Sequence, residues 1–259
     1  MRKTLLGTTL FIAACAQANA QAIRVVNHNG ATDIWGKYYT SGNKLTFTGK
    51  VTGIVKTLPD GGYDDEVTLL VQNKDGGGTS VVDLGPTWYV DHQVAKIKLK
   101  DKVRVTGSKV LVDGHGVVLA SQILVNGRGG LVVSLRRQSG RAFWMGTETD
   151  PSITVPAGPN VRSGQLTGFS TYTINNVPYT AGVLQTDNGT LNIDLGPQWY
   201  YNRQNTVYRI GDNLSVVSGP VPFQIGPGNQ IYQSYSIYRG QQVYNIRDQN
   251  GNPMYYWGQ

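Results

Sequence analysis

Hydrophobic and polar residues alternate along this chain in short runs that glycine, proline or aspartate residues separate. The segment 45–55 has this alternation and is interrupted by Gly49 and Gly53, and shorter runs follow at 67–71 and 79–84. No segment sustains the 3.6-residue apolar period of an amphipathic helix. The pattern predicts an all-β protein whose short strands and glycine-rich turns are typical of a meander or a small barrel.

One eight-residue pattern occurs twice. Val82–Tyr89 (VDLGPTWY) returns as Ile193–Tyr200 (IDLGPQWY), and each matched position is offset by 111 residues. The same offset relates Arg136 to Arg247 in the closing hairpins. A repeat at a fixed offset that extends beyond one motif indicates two copies of one domain.

The repeat divides the chain into five segments. Between the copies, the segment 149–159 contains three prolines and has little periodicity, so it is interpreted as a semi-extended linker. Residues before the first copy include Trp35 and Tyr39 and are expected to form an arm packed on a domain. The predicted segments are a signal peptide 1–20, an N-terminal arm 21–42, a basic first copy 43–147, a Pro-rich linker 148–163 and a Tyr-rich second copy 164–259.

The first twenty residues have the organisation of a secretory signal peptide. Arg2 and Lys3 precede the apolar run 5–14, and Ala18-Asn19-Ala20 supplies the small residues of a cleavage site. The apolar run is shorter than the ~20 residues that a membrane-spanning helix needs. The segment predicts export to the bacterial periplasm or the cell surface.

The sole cysteine, Cys15, leaves two forms of the mature protein open. The favoured interpretation is that it is removed with the signal peptide after Ala20. The alternative is that residues 12–15 form a lipobox and that Cys15 becomes a lipidated N-terminus, which is the one route to membrane association that the sequence offers. In both cases no cysteine remains for a disulfide or a thiolate metal site.

The order of elements in each copy resembles the oligonucleotide/oligosaccharide-binding (OB) fold. A glycine-kinked first strand and two further strands lead to a connecting segment, then to Asp101–Gly107 with its Asp-x-Val-x-Val-x-Gly pattern, a glycine turn and another strand. The chain is similar to tandem OB-like domains of exported bacterial proteins of poorly defined function. The resemblance implies two small OB-like β-barrels, and it does not select among nucleic acid, sugar and protein ligands.

The repeated motif has two interpretations. Gly85-Pro86 ends a strand, because proline has no N–H to continue the ladder. Trp88 and Trp199 are then expected to plug the open ends of the barrels. In the alternative interpretation they are exposed platforms on which a base or a sugar stacks. Asp83 is expected to cap the following turn.

Charge is unevenly distributed between the copies. The range 43–147 has 14 Lys and Arg against 9 Asp and Glu, whereas 164–259 has four of each. Alternation with apolar residues predicts one strand with a basic stripe that binds an anionic partner; the alternative is a solvated edge that discourages aggregation. Arg137, which corresponds to Asp248, is a further candidate specific to the first copy. The stripe consists of Lys96, Lys98, Lys100, Lys102 and Arg104.

Tyrosine is concentrated in the second copy, which holds 11 of the 15 tyrosines. Tyrosine gives a large contact area at a small entropy cost, so an adhesive face for a protein partner is predicted. The alternative is that many of these rings belong to the barrel core. The candidate contact residues of the two copies are Trp88, Tyr89, Trp199, Tyr200, Tyr201 and Tyr235.

Motif searches yield no candidate catalytic centre. Nucleophile-elbow, phosphate-loop and zinc-protease patterns are absent from the sequence, and its three histidines have no metal-ligand spacing. We therefore expect neither an enzyme nor a bound cofactor or metal. The predicted function is a non-catalytic cell-envelope binding or assembly protein that contacts an envelope protein or a second copy of itself. The alternative is an exported protein that binds single-stranded nucleic acid or another polyanion.

Overall fold

The chain folds into two β-sheets with very little helix, as the alternating pattern predicts. The computed structural model describes residues 33–58, 64–112, 114–126, 130–204, 208–225, 230–248 and 250–255. The predicted signal peptide, the alternative lipidation site Cys15 and residues 21–32 of the arm lie outside the described residues. No helix among the described residues has the length and apolar character needed to cross a bilayer.

The first copy contains six strands in the order β3-β2-β1-β4-β5-β6. A parallel pairing between β3 and β5 joins distant parts of this sheet and gives it the strand order of an OB-like barrel. The four-residue helix α1 follows β3 at the repeated motif. The elements are β1 (Lys44–Thr57), β2 (Glu66–Asn73), β3 (Thr79–Pro86), α1 (Thr87–Val90), β4 (Lys102–Val112), β5 (His115–Asn126) and β6 (Leu131–Ser134).

The second copy repeats this plan with a divided fifth strand. Two short strands, β13 and β14, pair with β10 and β11 respectively, as β5 alone pairs with β3 and β4. The elements are β7 (Thr147–Thr149), β8 (Val161–Ile174), β9 (Val177–Thr186), β10 (Gly189–Pro197), α2 (Gln198–Tyr201), β11 (Asn213–Ser218), β12 (Phe223–Gln224), β13 (Gln230–Tyr232), β14 (Ser234–Arg239) and β15 (Gln242–Asn245).

The boundary between the copies lies earlier than the prolines indicate. Strand β7 pairs with β15, so Thr147–Thr149 belongs to the sheet of the second copy. The segment from Asp150 to the start of β8 contains all three linker prolines. The predicted linker therefore begins with residues that are already part of the second sheet.

Glycine fixes the curvature of the first strand in both copies. The ladder of β1 shifts register between Val51 and Gly53, and that of β8 shifts between Leu166 and Gly168. These bulges relate β1 to β8 by an offset of 115 residues, not the 111 of the motif. Structural counterparts in this strand are therefore four positions further along, and Lys50 corresponds to Gln165.

The two barrels share one hydrophobic core. A single cluster of buried apolar side chains includes residues of both copies. The largest fully buried side chains in it are aromatic and come from the motif and from the closing hairpins. They are Tyr89, Trp144, Tyr200, Tyr244 and Tyr255.

Candidate functional site

The repeated motif builds the interface between the two copies. The hydroxyl of Tyr89 donates to the carbonyl of Met254 in the second copy (3.1 Å), and the hydroxyl of Tyr200 donates to the carbonyl of Phe143 in the first (2.9 Å). Phe143 and Met254 are themselves 111 residues apart. The contacts are therefore reciprocal, as in an isologous dimer interface.

Two glutamines repeat this reciprocity one helical turn later. The amide nitrogen of Gln93 donates to the carbonyl of Tyr255, and that of Gln204 donates to the carbonyl of Trp144, each at 3.1 Å. Gln204 also accepts a bond from the backbone N–H of Thr147. Both glutamines are 1% exposed, so these bonds form in a buried seam. The motif thus positions a Tyr and a Gln that join the barrels.

The motif tryptophans lie at the rim of this seam. Trp199 stacks on His92 with ring centroids 4.2 Å apart. Trp88 lies under the guanidinium of Arg203, whose carbon is 5.9 Å from the ring, and donates to Asp64. His92 and Arg203 are again 111 residues apart, so each copy covers the tryptophan of the other.

This arrangement differs from the predicted barrel plugs. Trp88 and Trp199 are half-buried, whereas the neighbouring Tyr89 and Tyr200 are fully buried. The tyrosines fill the interior because their hydroxyls reach carbonyls across the seam. Neither the rings of these tyrosines nor a free tryptophan face is presented to an external ligand, so these four candidate contacts serve the junction of the copies.

Most tyrosines of the second copy are core residues, which corrects the predicted adhesive face. The rings form a connected aromatic cluster in which Tyr200, Tyr244 and Tyr255 contact one another. Tyr201 stacks on Tyr208 and is half-buried. Tyr235 is half-buried beside Gly251. The buried members are Tyr172, Tyr179, Tyr200, Tyr208, Tyr244 and Tyr255.

The predicted basic stripe is not one strand. Strand β4 begins at Lys102, and the residues before it form the connector and a turn. Lys96 donates to the carbonyl of Asp91 in that connector, and Lys100 takes a left-handed conformation with φ of 72°. Sequence alternation was misleading here because the connector after α1 is irregular yet keeps apolar residues facing the core.

A basic face nevertheless forms across two strands. Lys50 on β1 lies directly opposite Lys102 on β4, and Arg104 lies opposite Thr48. All three basic side chains are exposed. The backbone N–H of Lys100 bonds to Val51, which places the turn at the same edge. We call Lys50, Lys100, Lys102 and Arg104 the basic face.

The second copy has no such face. The pairing of Gln165 with Asn213 replaces that of Lys50 with Lys102, and Ser163 with Ser215 replaces Thr48 with Arg104. The fold therefore does not require the basic residues. Lys98 is exposed beside the face, with its N–H bonded to Asp101, and the counterpart Arg209 makes the same bond to Asp212.

Arg137 lies at the junction of the copies, away from the basic face. Its guanidinium donates to the sulfur of Met254 at 3.1 Å and lies 5.9 Å from the Phe143 ring. The residue is half-buried. This first-copy residue thus has a local partner in the second copy.

Sequence analysis missed a buried ionic cluster in the first copy. Arg136 binds Asp33 of the N-terminal arm through both terminal nitrogens, at 2.5 and 2.9 Å, and lies 3.8 Å from Asp83. Glu66 accepts a bond from the Trp35 indole at 2.5 Å. The three carboxylates are far apart in the sequence, and only the shared offset of Arg136 and Asp83 pointed to this position.

Burial governs the titration of this cluster. It raises the pKa of Glu66 to about 9, and the charge of the neighbouring Asp83 adds to that shift. Burial also raises the pKa of Asp83 to about 6, although Arg136 opposes the change. Glu66 is 8% and Asp83 3% exposed, so neither reaches an external substrate directly. Asp83 also accepts the predicted turn bond, from the N–H of Gly85.

The described residues contain no group of three or more His, Cys, Asp or Glu side chains arranged to hold a metal ion. In the cluster above, the guanidinium of Arg136 is the cation that the carboxylates surround. The arrangement is an ion-pair network that fastens the arm to the barrel.

Comparison with solved structures returns two-domain DNA-binding proteins at low similarity. The single-stranded DNA binding protein from Thermus aquaticus is 16% identical, with 76% of this chain and 92% of that chain covered and a TM-score of 0.23. The p202 HIN1 domain in complex with 12-mer dsDNA is 10% identical, with 87% and 100% covered and a TM-score of 0.24. At these scores the alignments add no argument about function. The OB-like assignment rests on strand order.

Comparison with known families matches the first copy alone. No curated protein matches this chain. Residues 43–129 match the model of the MamS/MamX magnetosome protein family. The match spans β1 to β5 and includes the motif and the basic face, and it covers about a third of the chain.

Proposed function

We propose that this protein is an exported, non-catalytic binding or assembly component associated with the magnetosome, and that its first copy binds an anionic partner through the basic face. The family match over residues 43–129 supports the magnetosome association. The signal-like N-terminus supports export. The buried seam supports a rigid two-barrel scaffold with distinct outer surfaces.

The observation that carries the proposal is the cross-strand pair of Lys50 and Lys102. Like charges placed directly opposite one another destabilise a sheet. The second copy avoids this cost with Gln165 and Asn213 at the same places. Phosphate or carboxylate groups of a partner would neutralise the repulsion, and Arg104 would add a bidentate donor.

The shared chemistry of the partner is a row of anionic groups, which nucleic acid and anionic lipid headgroups both present. Two probes distinguish these sources. One is a fluorescent 20-nucleotide oligothymidylate, and the other is a vesicle containing phosphatidylglycerol. Both are titrated with the mature protein, residues 21–259, over a series of salt concentrations.

The test compares two double variants that remove equal charge. K50Q/K102N gives the first copy the residues of the second, and the control K37A/K56A removes two lysines elsewhere. For the oligonucleotide, we expect K50Q/K102N to weaken binding and to lower the slope of log affinity against log salt by about 1.4, since each single-strand phosphate contact contributes about 0.7. Equal slopes for the two variants, or no binding of either probe at low salt, would overturn the proposal.

A contact with a protein partner through the second copy is less favoured. Six of its tyrosines are buried, so the remaining half-buried rings offer a smaller surface than the sequence implies. Binding of K50Q/K102N to an envelope protein with unchanged affinity, together with loss of anion binding, would show that a separate surface serves such a partner.

A further inference from the structure

The described part of the N-terminal arm, residues 33–43, lies across the first barrel and is held at two places. At one place, Asp33 binds Arg136 and Trp35 donates to Glu66. At the other, the backbone N–H of Thr40 donates to the Ser108 hydroxyl, which in turn donates to the Thr40 carbonyl.

The arm covers an apolar patch of the barrel. Tyr39 is buried, and it forms a small cluster with Val110 and Leu119 that is separate from the main core. The Tyr39 ring also packs against Gly140, where any side chain would collide with it. Release of the arm would expose this patch without opening the main core.

The second copy shows the same arginine without an arm. Arg247 binds Asp194 directly at 2.7 Å, and it also donates to the Ser234 carbonyl and the Tyr255 hydroxyl. In the first copy, the counterpart Asp83 lies 3.8 Å from Arg136, and its outer carboxylate oxygen is buried without a hydrogen-bond partner. Asp33 has taken the position that the motif aspartate holds in the second copy.

The copies also differ beside this pair. Glu66 pairs with Pro86, and its counterpart Tyr179 pairs with Pro197. The first copy therefore has a second carboxyl where the second copy has a phenol. Among the described residues, the charged groups around Arg136 are Asp33 from the arm, Glu66 from β2 and Asp83 from β3.

We propose that the arm is a releasable strap: Asp33 and Asp83 compete for Arg136, and release of the arm transfers the guanidinium from Asp33 to Asp83. The arm-free arrangement is then the one that Arg247 and Asp194 already show. Three carboxyl groups share one arginine, so the docked arm is stable only while one of them remains protonated. The strap is separate from the basic face, and it does not depend on anion binding there.

The pH dependence has a definite sign. Docking buries Glu66 beneath Trp35, and the raised pKa of about 9 means that the docked state retains a proton that an exposed carboxyl would lose near pH 4.5. Docking is therefore strongest below about pH 4.5 with respect to this group. It weakens as the pH rises, until Glu66 ionises near pH 9.

The first experiment measures hydrogen exchange of the arm, residues 36–43, in the mature protein between pH 6 and 10, after correction for intrinsic exchange. We expect protection of the wild-type arm to fall with rising pH. E66Q should remove most of this dependence, because the amide still accepts the Trp35 bond but cannot ionise. D33N should lower protection about ten- to a hundredfold at pH 7, and the exposed control D75N should behave as wild type.

The second experiment separates the strap from a merely structural contact. In D33N, Arg136 is free to pair with Asp83, so the pKa of Asp83 should fall from about 6 toward or below the ordinary aspartate range, as measured by NMR titration of its carboxyl carbon. An Asp83 pKa that stays near 6 in D33N would overturn the proposal. So would equal pH dependence of arm protection in wild type and E66Q.

Discussion

The two copies have the same motif and the same barrel, yet they treat the same buried arginine differently. In the second copy Arg247 and Asp194 form a direct ion pair 2.7 Å long. In the first copy the arm inserts Asp33, and Arg136 is 3.8 Å from Asp83. The outer surfaces also diverge, since only the first copy has the basic face. The comparison shows that duplication preserved the seam and left the surfaces free to acquire separate roles.

The largest expected contrast concerns the motif aspartates. D194N leaves Arg247 buried without a charged partner, and such a loss costs about 3–5 kcal/mol of unfolding free energy. D83N should cost no more than about 1 kcal/mol, because Asp33 still holds Arg136 and the charge next to Glu66 disappears. Urea unfolding followed by circular dichroism measures both. Equal costs would show that Asp83 is the main partner of Arg136 in solution.

The motif glycines give the next contrast. Gly85 and Gly196 have φ of 98° and 92°, where a side chain is strained, so G196A should cost about 1–2 kcal/mol. A Cβ at Gly85 would also collide with the Trp144 ring, whereas one at Gly196 has its nearest neighbours at 3.6 Å. G85A should therefore cost about 1–3 kcal/mol more. Thermal unfolding of both variants checks the order, and a smaller loss for G85A would contradict it.

The seam glutamines differ in the number of bonds they make. Gln204 donates to two carbonyls and accepts from Thr147, whereas the Oε1 atom of Gln93 is buried without a partner. Q204A should destabilise the protein by about 1–3 kcal/mol, and Q93A by about 1 kcal/mol less. Denaturant midpoints at constant slope measure the difference. A larger effect of Q93A would mean that the two halves of the seam are not equivalent.

The smallest effect is expected on the basic face. K102N removes the repulsion between Lys50 and Lys102, so it should raise the unfolding free energy by about 0.2–1 kcal/mol. The gain should shrink in high salt, because exposed charges are screened. The control K56A removes a lysine that is paired with Asp91, and it should give no gain. Destabilisation by K102N at low salt would contradict the proposed repulsion.

Local pattern was sufficient for the architecture but not for the roles of the motif residues. Alternation and glycine spacing correctly predicted an all-β chain with two OB-like copies. The same alternation wrongly extended a strand through Lys96–Lys100, because an irregular connector can also place apolar residues inward at every second position. It also could not separate core tyrosines from surface ones, since a strand rich in tyrosine has the same sequence in either setting.

The sequence by itself determined the duplication, the strand-rich fold and the unequal charge of the copies, because each of these is written in residue order and composition. Only the tertiary structure decided that Tyr89 and Tyr200 join the barrels and that Asp33, Glu66 and Asp83 gather around one arginine. These groups lie tens of residues apart and have no common spacing. Their proximity, and the pKa changes that follow from burial, arise only when the barrels pack together and the arm closes over the first.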